Sequence, residues 1–326
     1  MIFPSPRANP WFEGHEGAVN ALLHATGSGR LHHGWLLTGP TGIGKATLAY
    51  RFGRWLLAGG QSDDLSVPET SGVFRRVAAA THPDFFTVER RVNAKTEKLQ
   101  SEIVIATIQE ASAFMRLTPA EGGWRVVVVD GAEDMNTNAA NALLKLLEEP
   151  PPRAILLLVS AAPGRLLPTI RSRCRVLPMA PLPDAAMQAL LKTYAPELDE
   201  PAQRRLVELA EGSLGNALNL AHGGGVALAA LVDEALDGKV KPARAQAIAD
   251  EVAKTVEGAD KFEMFFSLLR TRLAARTRSA ARTGAVNLER NVALWQDFGK
   301  LERDVLGLNL DKRAAITVAL EQLHRS

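Results

Sequence analysis

The chain has 326 residues, of which 46% are hydrophobic and 23% are charged; this composition excludes a wholly disordered protein and allows two or three domains with their own cores. The formal net charge of +2 is too small for a protein that coats nucleic acid by charge alone, so any DNA contact must be local. No apolar run reaches the roughly 18 residues of a membrane span and the N-terminal residues lack the apolar stretch of a signal peptide, so we expect a cytoplasmic protein without membrane contact.

The first elements in chain order are a strand, a glycine-rich loop and a helix. Residues 34–38 (GWLLT) form a short apolar run typical of a buried strand, and residues 45–58 carry apolar side chains at helical spacing. The segment 59–81 is polar and contains proline and glycine, which predicts an excursion between core elements. The apolar run at 85–88 predicts the next strand.

Helices and strands then alternate, as in a parallel sheet. Residues 102–115 again have helical spacing, and RVVVVD at 125–130 is a β-branched run that suits a strand buried on both faces. Residues 138–149 (NAANALLKLLEE) predict a helix that must end at the three prolines following it. Residues 154–159 predict another strand, and after a short apolar run that ends at Leu177 no further strand is predicted.

Two breaks in the pattern predict domain boundaries. The prolines of MAPLPD at 179–184 mark the first, and three glycines at 223–225 mark the second. We therefore predict an α/β P-loop domain with a parallel sheet over residues 1–178. A small helical lid domain over 179–222 and a C-terminal all-helical domain over 223–326 are predicted to follow.

The sequence GPTGIGK matches the loop that cradles nucleotide phosphates. Gly39, Gly42 and Gly44 allow backbone N–H groups to converge on phosphate oxygens, the helix N-terminus adds positive potential, and Lys45 neutralises charge. The setting supports the match, because a strand precedes the loop, a helix follows it, and a second hydrophobic strand ends in Asp130. A plain glycine turn is the alternative.

Several positions that a working ATPase needs are altered. The residue after the loop lysine should be Ser or Thr, whose hydroxyl holds Mg²⁺, but it is Ala46. Thr47 is one residue late, and since each helical residue turns the side chain by about 100°, it is predicted to face away from the phosphates. Asp130 could hold a metal ion through water, but Gly131 follows it where an ATPase usually carries the glutamate that polarises the attacking water. Glu133 is interpreted as a surface acid.

These motifs resemble, in chain order, those of the bacterial clamp-loader ATPases of the AAA+ class. The resemblance spans residues 34–220 and is carried by GWLLTGPTGIGKATLA, HPDFF, RVVVVDGAEDMNTNAANALLKLLEEPP, LLLVSAAPGRLLPTIRSRC and EGSLGNALNL. The run NALLKLLEEPP, followed by a strand and then SRC, is highly specific. RLLPTIRSRCR is most similar to the delta-prime branch of this family rather than to its gamma or tau motor subunits, and NLDKRAAI at 309–316 is a weaker match to the same branch.

The resemblance implies a role for Arg173. In this family the SRC motif supplies an arginine finger, which reaches the γ-phosphate of ATP bound to a neighbouring subunit, and Ser172 and Cys174 would be structural flanks. Such a role requires a fixed, always charged group with several donors, which arginine supplies and lysine does not. The alternative is a solvated basic turn in which Arg171 and Arg175 count as much as Arg173.

The resemblance also marks a third altered position. The motor subunits carry a nucleotide-sensing arginine after GSL, where this chain has Gly215. Ala46, Gly131 and Gly215 thus remove the metal ligand, the water activator and the sensor, so no ATPase activity is expected. The zinc-binding cysteines common in this family are missing, since Cys174 is the only cysteine, and we expect neither a metal nor a disulfide. Weak ATP or ADP binding without hydrolysis, and a loop kept only for its tight turn, both stay open.

The resemblance implies an assembly as well. In the family the C-terminal domains form a collar, the delta-prime subunit is a rigid member at one end, and the complex places a sliding clamp on primed DNA. The implied partners are the gamma or tau motor subunits and delta directly, and the clamp and primed DNA through the assembly. Two alternatives stay open: an active gamma or tau-type ATPase of the same loader, and a P-loop nucleotide-binding module outside replication.

Weaker signals are interpreted structurally. The segment 270–282 has five arginines and no acid, and we interpret it as a solvated helix face or a subunit contact in preference to a DNA contact. Trp295 and Phe298 lie at helical spacing and are predicted to be core. The histidines at 32–33 are interpreted as edge residues of the first strand and His82 as a residue that caps a turn.

Overall fold

The computed structural model describes residues 4–93, 97–121, 123–237, 240–254, 260–283 and 288–324. The chain forms two compact units, one made of residues 1–190 and 211–215 and the other of residues 191–210 and 216–326. None of the described helices combines the length and the apolar character needed to cross a bilayer. The three-part division with boundaries after residues 178 and 222 stays a prediction.

The first unit is built on one sheet of five parallel strands. The strands are β1 (Gly34–Thr38), β2 (Phe85–Val88), β3 (Arg125–Asp130), β4 (Ala154–Ser160) and β5 (Arg175–Pro178). Their order across the sheet is β2–β3–β4–β1–β5, and every neighbouring pair is parallel. The strands predicted from the apolar runs are all present, and the predicted α/β class with a parallel sheet is confirmed.

Helices cover both faces of this sheet. They are α1 (Glu16–Gly27), α2 (Lys45–Leu57), α3 (Gly72–Ala78), α4 (Ile105–Arg116), α5 (Thr137–Glu148) and α6 (Pro168–Ser172). Successive strand residues point to opposite faces, so Val126 and Val128 join the apolar cluster that contains α1 and α2. Val127 and Val129 join the cluster that contains α4 and α5. Side chains of the run RVVVVD therefore pack into both apolar clusters, which explains why polar and apolar residues do not alternate along it.

The excursion predicted over 59–81 lies only partly outside the core. It contains α3, and Val77 on that helix is buried. Leu65 is fully buried as well, although its φ of 61° places it in the left-handed region. The excursion therefore contributes to the core through Leu65 and Val77, which no periodic sequence pattern marked.

The HPDFF run contributes Asp84 to a buried ion pair. The carboxylate of Asp84 is fully buried and accepts hydrogen bonds from the backbone N–H groups of Ala120 at 2.8 Å and Glu121 at 3.0 Å. The buried Arg125 guanidinium lies 3.5 Å from the same carboxylate and donates to the Phe114 carbonyl at 2.8 Å. This network joins the segment before β2 to the first residue of β3.

The three histidines singled out in the sequence have structural partners. His82 Nδ1 accepts a hydrogen bond from the backbone N–H of Asp84 at 3.1 Å, which confirms that His82 caps a turn. His33 Nε2 lies 2.9 Å from the Leu147 carbonyl, and the His32 ring stacks on His33 with centroids 4.3 Å apart. Both rings stand at the entry to β1, as predicted for edge residues.

The second unit is helical in its described residues and contains no strand among them, as predicted. Helices from residue 184 onward are α7 (Asp184–Tyr194), α8 (Glu200–Ala210), α9 (Leu214–His222), α10 (Gly225–Leu236), α11 (Pro242–Val252), α12 (Lys261–Thr283), α13 (Leu288–Leu308) and α14 (Lys312–His324). The boundary between the two units falls inside α7.

Arginines on α12 form hydrogen bonds and ion pairs with α10 and the residue that follows it. Arg272 donates from two nitrogens to the Asp233 carboxylate of α10, each at 2.9 Å. One turn later, Arg276 donates to the carbonyl of Leu236 at 2.7 Å and to the Asp237 carboxylate at 2.8 Å. Arg272 and Arg276 are therefore engaged by carboxylate and carbonyl groups of the same unit; the interpretation of the whole basic stretch as a solvated face or subunit contact stays a prediction. The side chain of residue 282 lies outside the described part of the chain.

The prediction that Trp295 is core is wrong. Its side chain is 39% exposed, and the Arg270 guanidinium lies over its ring at 4.4 Å from the centroid. Arg270 also donates to Glu302 at 3.1 Å, so Trp295 covers an ion pair at the surface. Phe298 is fully buried against Phe266, which confirms its predicted core position.

Candidate functional site

The glycine-rich loop lies at the carboxyl edge of the sheet. It connects β1 to α2, which begins at Lys45, and β3 ends at Asp130. In the strand register Thr38 pairs with Ser160, and Asp130 pairs with Val159. Parallel strands bring their carboxyl ends to one edge, so the structure assembles the loop, Asp130 and the end of β4 where ligands bind in open α/β sheets.

The loop glycines are required by the loop's own conformation. Gly39, Gly42 and Gly44 have φ values of 145°, 77° and 103°, in the region that side chains rarely adopt. A Cβ at Gly39 would come within 2.3 Å of the Met179 carbonyl oxygen. The tight turn therefore needs these glycines whether or not a phosphate binds to it.

Lys45 is committed to its own loop. Its side chain is buried, and the ammonium donates hydrogen bonds to the carbonyls of Gly39 at 2.8 Å and Pro40 at 2.5 Å. Burial lowers the pKa of Lys45, while the nearby charges of Glu133 and Asp130 act in the opposite direction. The ammonium is thus bonded to carbonyls of its own loop.

Glu133 is not a surface acid, and that interpretation is wrong. Its Oε1 accepts a hydrogen bond from the backbone N–H of Ala161 at 2.8 Å, just beyond the end of β4. Its Oε2 is buried and accepts no hydrogen bond from the described residues. Burial raises the pKa of the neighbouring Asp130, and the Glu133 charge raises it further. A second carboxylate therefore faces Lys45, although it stands outside the position from which motor ATPases act on water.

The altered catalytic positions have structural consequences. Ala46 packs against the apolar cluster of the first unit, and the Thr47 hydroxyl forms no hydrogen bond in the described part of the chain. That Thr47 faces away from bound phosphate stays a prediction. Gly131 is left-handed, with φ 73° and ψ 51°, and a Cβ there would lie 2.9 Å from an Asp134 carboxylate oxygen. A glutamate at Gly131 would therefore be strained and would face a like charge.

Gly215 is in direct backbone contact with the loop. Residues 211–215 belong to the first unit, and Gly215 N–H donates to the Gly42 carbonyl at 2.9 Å. The hydroxyl of Ser213 donates to the Thr41 carbonyl at 2.9 Å. A Cβ at Gly215 would lie only 2.9 Å from Gly42 Cα. The position at which the motor subunits carry a sensing arginine thus has no room for a side chain.

We expect Gly215→Ala to lower the free energy of unfolding by about 1–3 kcal/mol, the usual cost of overpacking against backbone that cannot yield. Gly164→Ala is the matched control, because a Cβ at Gly164 meets nothing within 4 Å. Urea denaturation followed by far-ultraviolet circular dichroism measures both. Equal midpoints for the two variants would show that Gly215 is not tightly packed on the loop.

Arg173 lies at the amino-terminal ends of the strands, whereas the loop lies at their carboxyl ends. It follows α6 directly and precedes β5, whose residue Arg175 pairs with Trp35 near the start of β1. A Cβ at Gly34, the first residue of β1, would lie 3.4 Å from the Arg173 carbonyl oxygen. Since β1 spans five residues at about 3.3 Å each, the two edges are roughly 16 Å apart.

The Arg173 guanidinium is held at the surface by two partners. One nitrogen, Nη1, donates to the Thr169 carbonyl at 3.1 Å, within α6. The other, Nη2, lies 2.8 Å from a carboxylate oxygen of Glu148, the last residue of α5, and the Arg173 side chain is 37% exposed. The charged group is therefore both oriented and accessible.

The residues beside Arg173 differ from it in their surroundings. Arg171 is exposed, and Arg175 lies over the Trp35 ring at 5.1 Å from its centroid. Cys174 is buried, and burial raises the pKa of its thiol to about 12, which makes it a core residue without thiolate character. Ser172 donates to the Thr169 carbonyl at 3.1 Å. Cys174 thus packs in the core and Ser172 bonds within its own helix; that the two flank a functional arginine stays a prediction.

Comparison of the sequence with known proteins identifies the family of this chain. The sequence profile of the family described as DNA polymerase III, delta subunit, matches residues 14–183. The chain belongs to this family.

Among the described residues, no three or more histidine, cysteine, aspartate or glutamate side chains are grouped as metal ligands would be.

Individual relatives include DNA polymerase III subunits of two names, delta' and tau. The chain is 43% identical over 197 residues to DNA polymerase III subunit delta' of Pseudomonas aeruginosa, covering 60% of this chain and 57% of the relative. It is 32% identical over 213 residues to subunit delta' of Escherichia coli, covering 65% and 61%. It is also 31% identical over 215 residues to subunit tau of Escherichia coli, covering 64% and 31%. The matches thus span less than two thirds of each relative.

Proposed function

We propose that the chain is the delta-prime subunit of the DNA polymerase III clamp loader, which does not hydrolyse ATP itself and contributes Arg173 to the ATP site of a neighbouring motor subunit. The observation that carries the proposal is the place of Arg173, exposed at the edge of the sheet opposite its own loop. The length of β1, roughly 16 Å, separates this position from the chain's own loop, which supports a role toward a phosphate held by another chain.

The altered loop site supports the absence of hydrolysis. A P-loop ATPase uses a hydroxyl to hold Mg²⁺ and a positioned group to direct the attacking water. Here Ala46 has no hydroxyl. Gly131 has no side chain, and its left-handed backbone conformation disfavours a glutamate at this position. Gly215 packs directly against the loop, with no room for a side chain. These positions favour the delta-prime assignment over a gamma or tau-type motor, even though the chain resembles subunit tau as well.

We expect phosphate release by the isolated protein to stay at background. Lys45→Ala is the control, since it should remove any turnover that belongs to this site and leave contaminating activity unchanged. Gly131→Glu alone should not create activity, because the metal ligand and the sensor are still missing. Turnover that disappears in Lys45→Ala would instead identify an active motor ATPase.

Association separates the proposal from a P-loop module outside replication. Co-purification with the gamma or tau subunits and with delta is expected, and a mixture with the sliding clamp and primed DNA should then load the clamp. A chain that associates with none of these subunits would belong to the other class. No cofactor is required for this role, and a nucleotide that binds the loop would have to replace the Gly39 and Pro40 carbonyls as partners of Lys45.

A further inference from the structure

Glu148 stands where local preference disfavours an acid. It is the last residue of α5, and Glu149 follows it. The carboxyl end of a helix carries partial negative charge, so carboxylates there are unfavourable unless a cation compensates them. Arg173 is such a cation, 2.8 Å from Glu148, while no hydrogen bond or ion pair in the described residues involves the Glu149 side chain. Of these two adjacent carboxylates, Glu148 is therefore the one that contacts the arginine.

The two groups that orient Arg173 are themselves fixed. Helix α5 is anchored by the buried side chains of Leu146 and Leu147 and ends before three prolines. Thr169, whose carbonyl accepts the second hydrogen bond, lies in α6 next to the buried Ile170. The guanidinium is thus held between two anchored helices, with the rest of its planar donor fork left for another partner.

We propose that Glu148 is a positioning residue, which holds the Arg173 guanidinium in the orientation in which it meets the γ-phosphate of ATP on the neighbouring subunit. The inference rests on the proposed function. An exposed ion pair contributes little net free energy, whereas a phosphate is a strong bidentate partner for guanidinium. Glu148 therefore orients the arginine before and during contact, and the remaining donors of the guanidinium bind the triphosphate.

The test uses the reconstituted loader with ATP, primed DNA and the sliding clamp. Glu148→Gln keeps the size of the side chain and removes its charge. We expect the hydrolysis rate at saturating ATP to fall by roughly threefold to tenfold at the site that faces this subunit, with KM for ATP unchanged, because the effect falls on the transition state rather than on substrate binding. Glu149→Gln, which changes the adjacent carboxylate in the same way, is the matched control and should retain the wild-type rate.

A double-mutant cycle distinguishes positioning from a general structural role. In an Arg173→Ala background Glu148→Gln should cause no additional loss, because the group that it positions is gone. Thermal unfolding and loader assembly should match the wild type in every variant. A wild-type rate in Glu148→Gln, or an equal loss with and without Arg173, would overturn the inference. If Arg173→Ala itself has no effect in an assembled loader, the proposed function fails; if only Glu148→Gln has none, the positioning role alone fails.

Discussion

Arg173→Ala should lower ATP hydrolysis and clamp loading by the assembled loader while this subunit stays folded. An arginine finger stabilises charge that develops in a neighbour's transition state, so its removal affects rate far more than stability. Fingers in other P-loop enzymes are worth about 10³ to 10⁵ in rate, or roughly 4–7 kcal/mol of barrier, at the site that they serve. The surface ion pair with Glu148 is a small loss for the fold by comparison.

The whole loader should be affected less than that single site. Only the motor subunit that faces this chain loses its finger, so steady-state hydrolysis falls partially unless the sites fire in an obligatory order. Arg173→Lys should be nearly as damaging, because one ammonium cannot reproduce the planar fork of donors. Phosphate release and clamp loading on primed DNA, measured with verified assembly, provide the two readouts.

Arg171→Ala is the cleaner control for general basicity. Arg171 is exposed, whereas Arg175 stacks on Trp35, so Arg175→Ala removes packing as well as charge. Both variants should retain most of the loader's activity. Equal losses in all three alanine variants would mean that the turn acts only as a basic patch, and an unaffected Arg173→Ala loader would exclude the finger.

The sheet and its loop could be predicted because their signals are local. The β-branched run at 125–130 has no helical alternative, and the glycines of GPTGIGK stand where φ must be positive. The helix at 137–148 is bounded by an asparagine cap at Asn136 and by prolines. The order of the strands in the sheet depends on no such local feature and is known only from the structure.

The sequence pattern did not predict contacts between segments that lie far apart in the chain. Arg54 on α2 is almost fully buried and donates to the carbonyls of Arg7 at 2.6 Å and Asn9 at 2.7 Å, and burial lowers its pKa to about 10. The pattern of α2 alone does not reveal these contacts, because the partners are backbone atoms more than forty residues earlier. Glu133 was misassigned for the same reason, because its partner Ala161 lies on another strand's end.

Gly215 illustrates how structure adds to a motif. The sequence identified a missing sensing arginine, which by itself could be restored by one substitution. The backbone contact with Gly42 means that restoring the side chain would also require the loop and residues 213–215 to separate. The packing of this site, and not only the identity of residue 215, therefore disfavours the sensing arginine that the resemblance implies for motor subunits.

The largest effect on stability is expected at Asp84. Asp84→Ala removes the acceptor of two backbone N–H groups and leaves the buried Arg125 charge without its carboxylate. Breaking a buried ion pair from one side costs about 3–5 kcal/mol in the free energy of unfolding, since the remaining charge is desolvated and uncompensated. Urea denaturation should show this loss against Asp63→Ala, an exposed aspartate that should shift stability little.

Arg125→Met tests the same network from the other side. It leaves the buried Asp84 carboxylate with only its two backbone donors, and the Phe114 and Thr118 carbonyls lose their donor, so we expect a loss of similar size. If Asp84→Ala stayed within about 1 kcal/mol of Asp63→Ala, the HPDFF aspartate would not be a structural anchor. Its presence in the motif would then need a functional reason, and the activity of the assembled loader with Asp84→Ala would have to be measured for it.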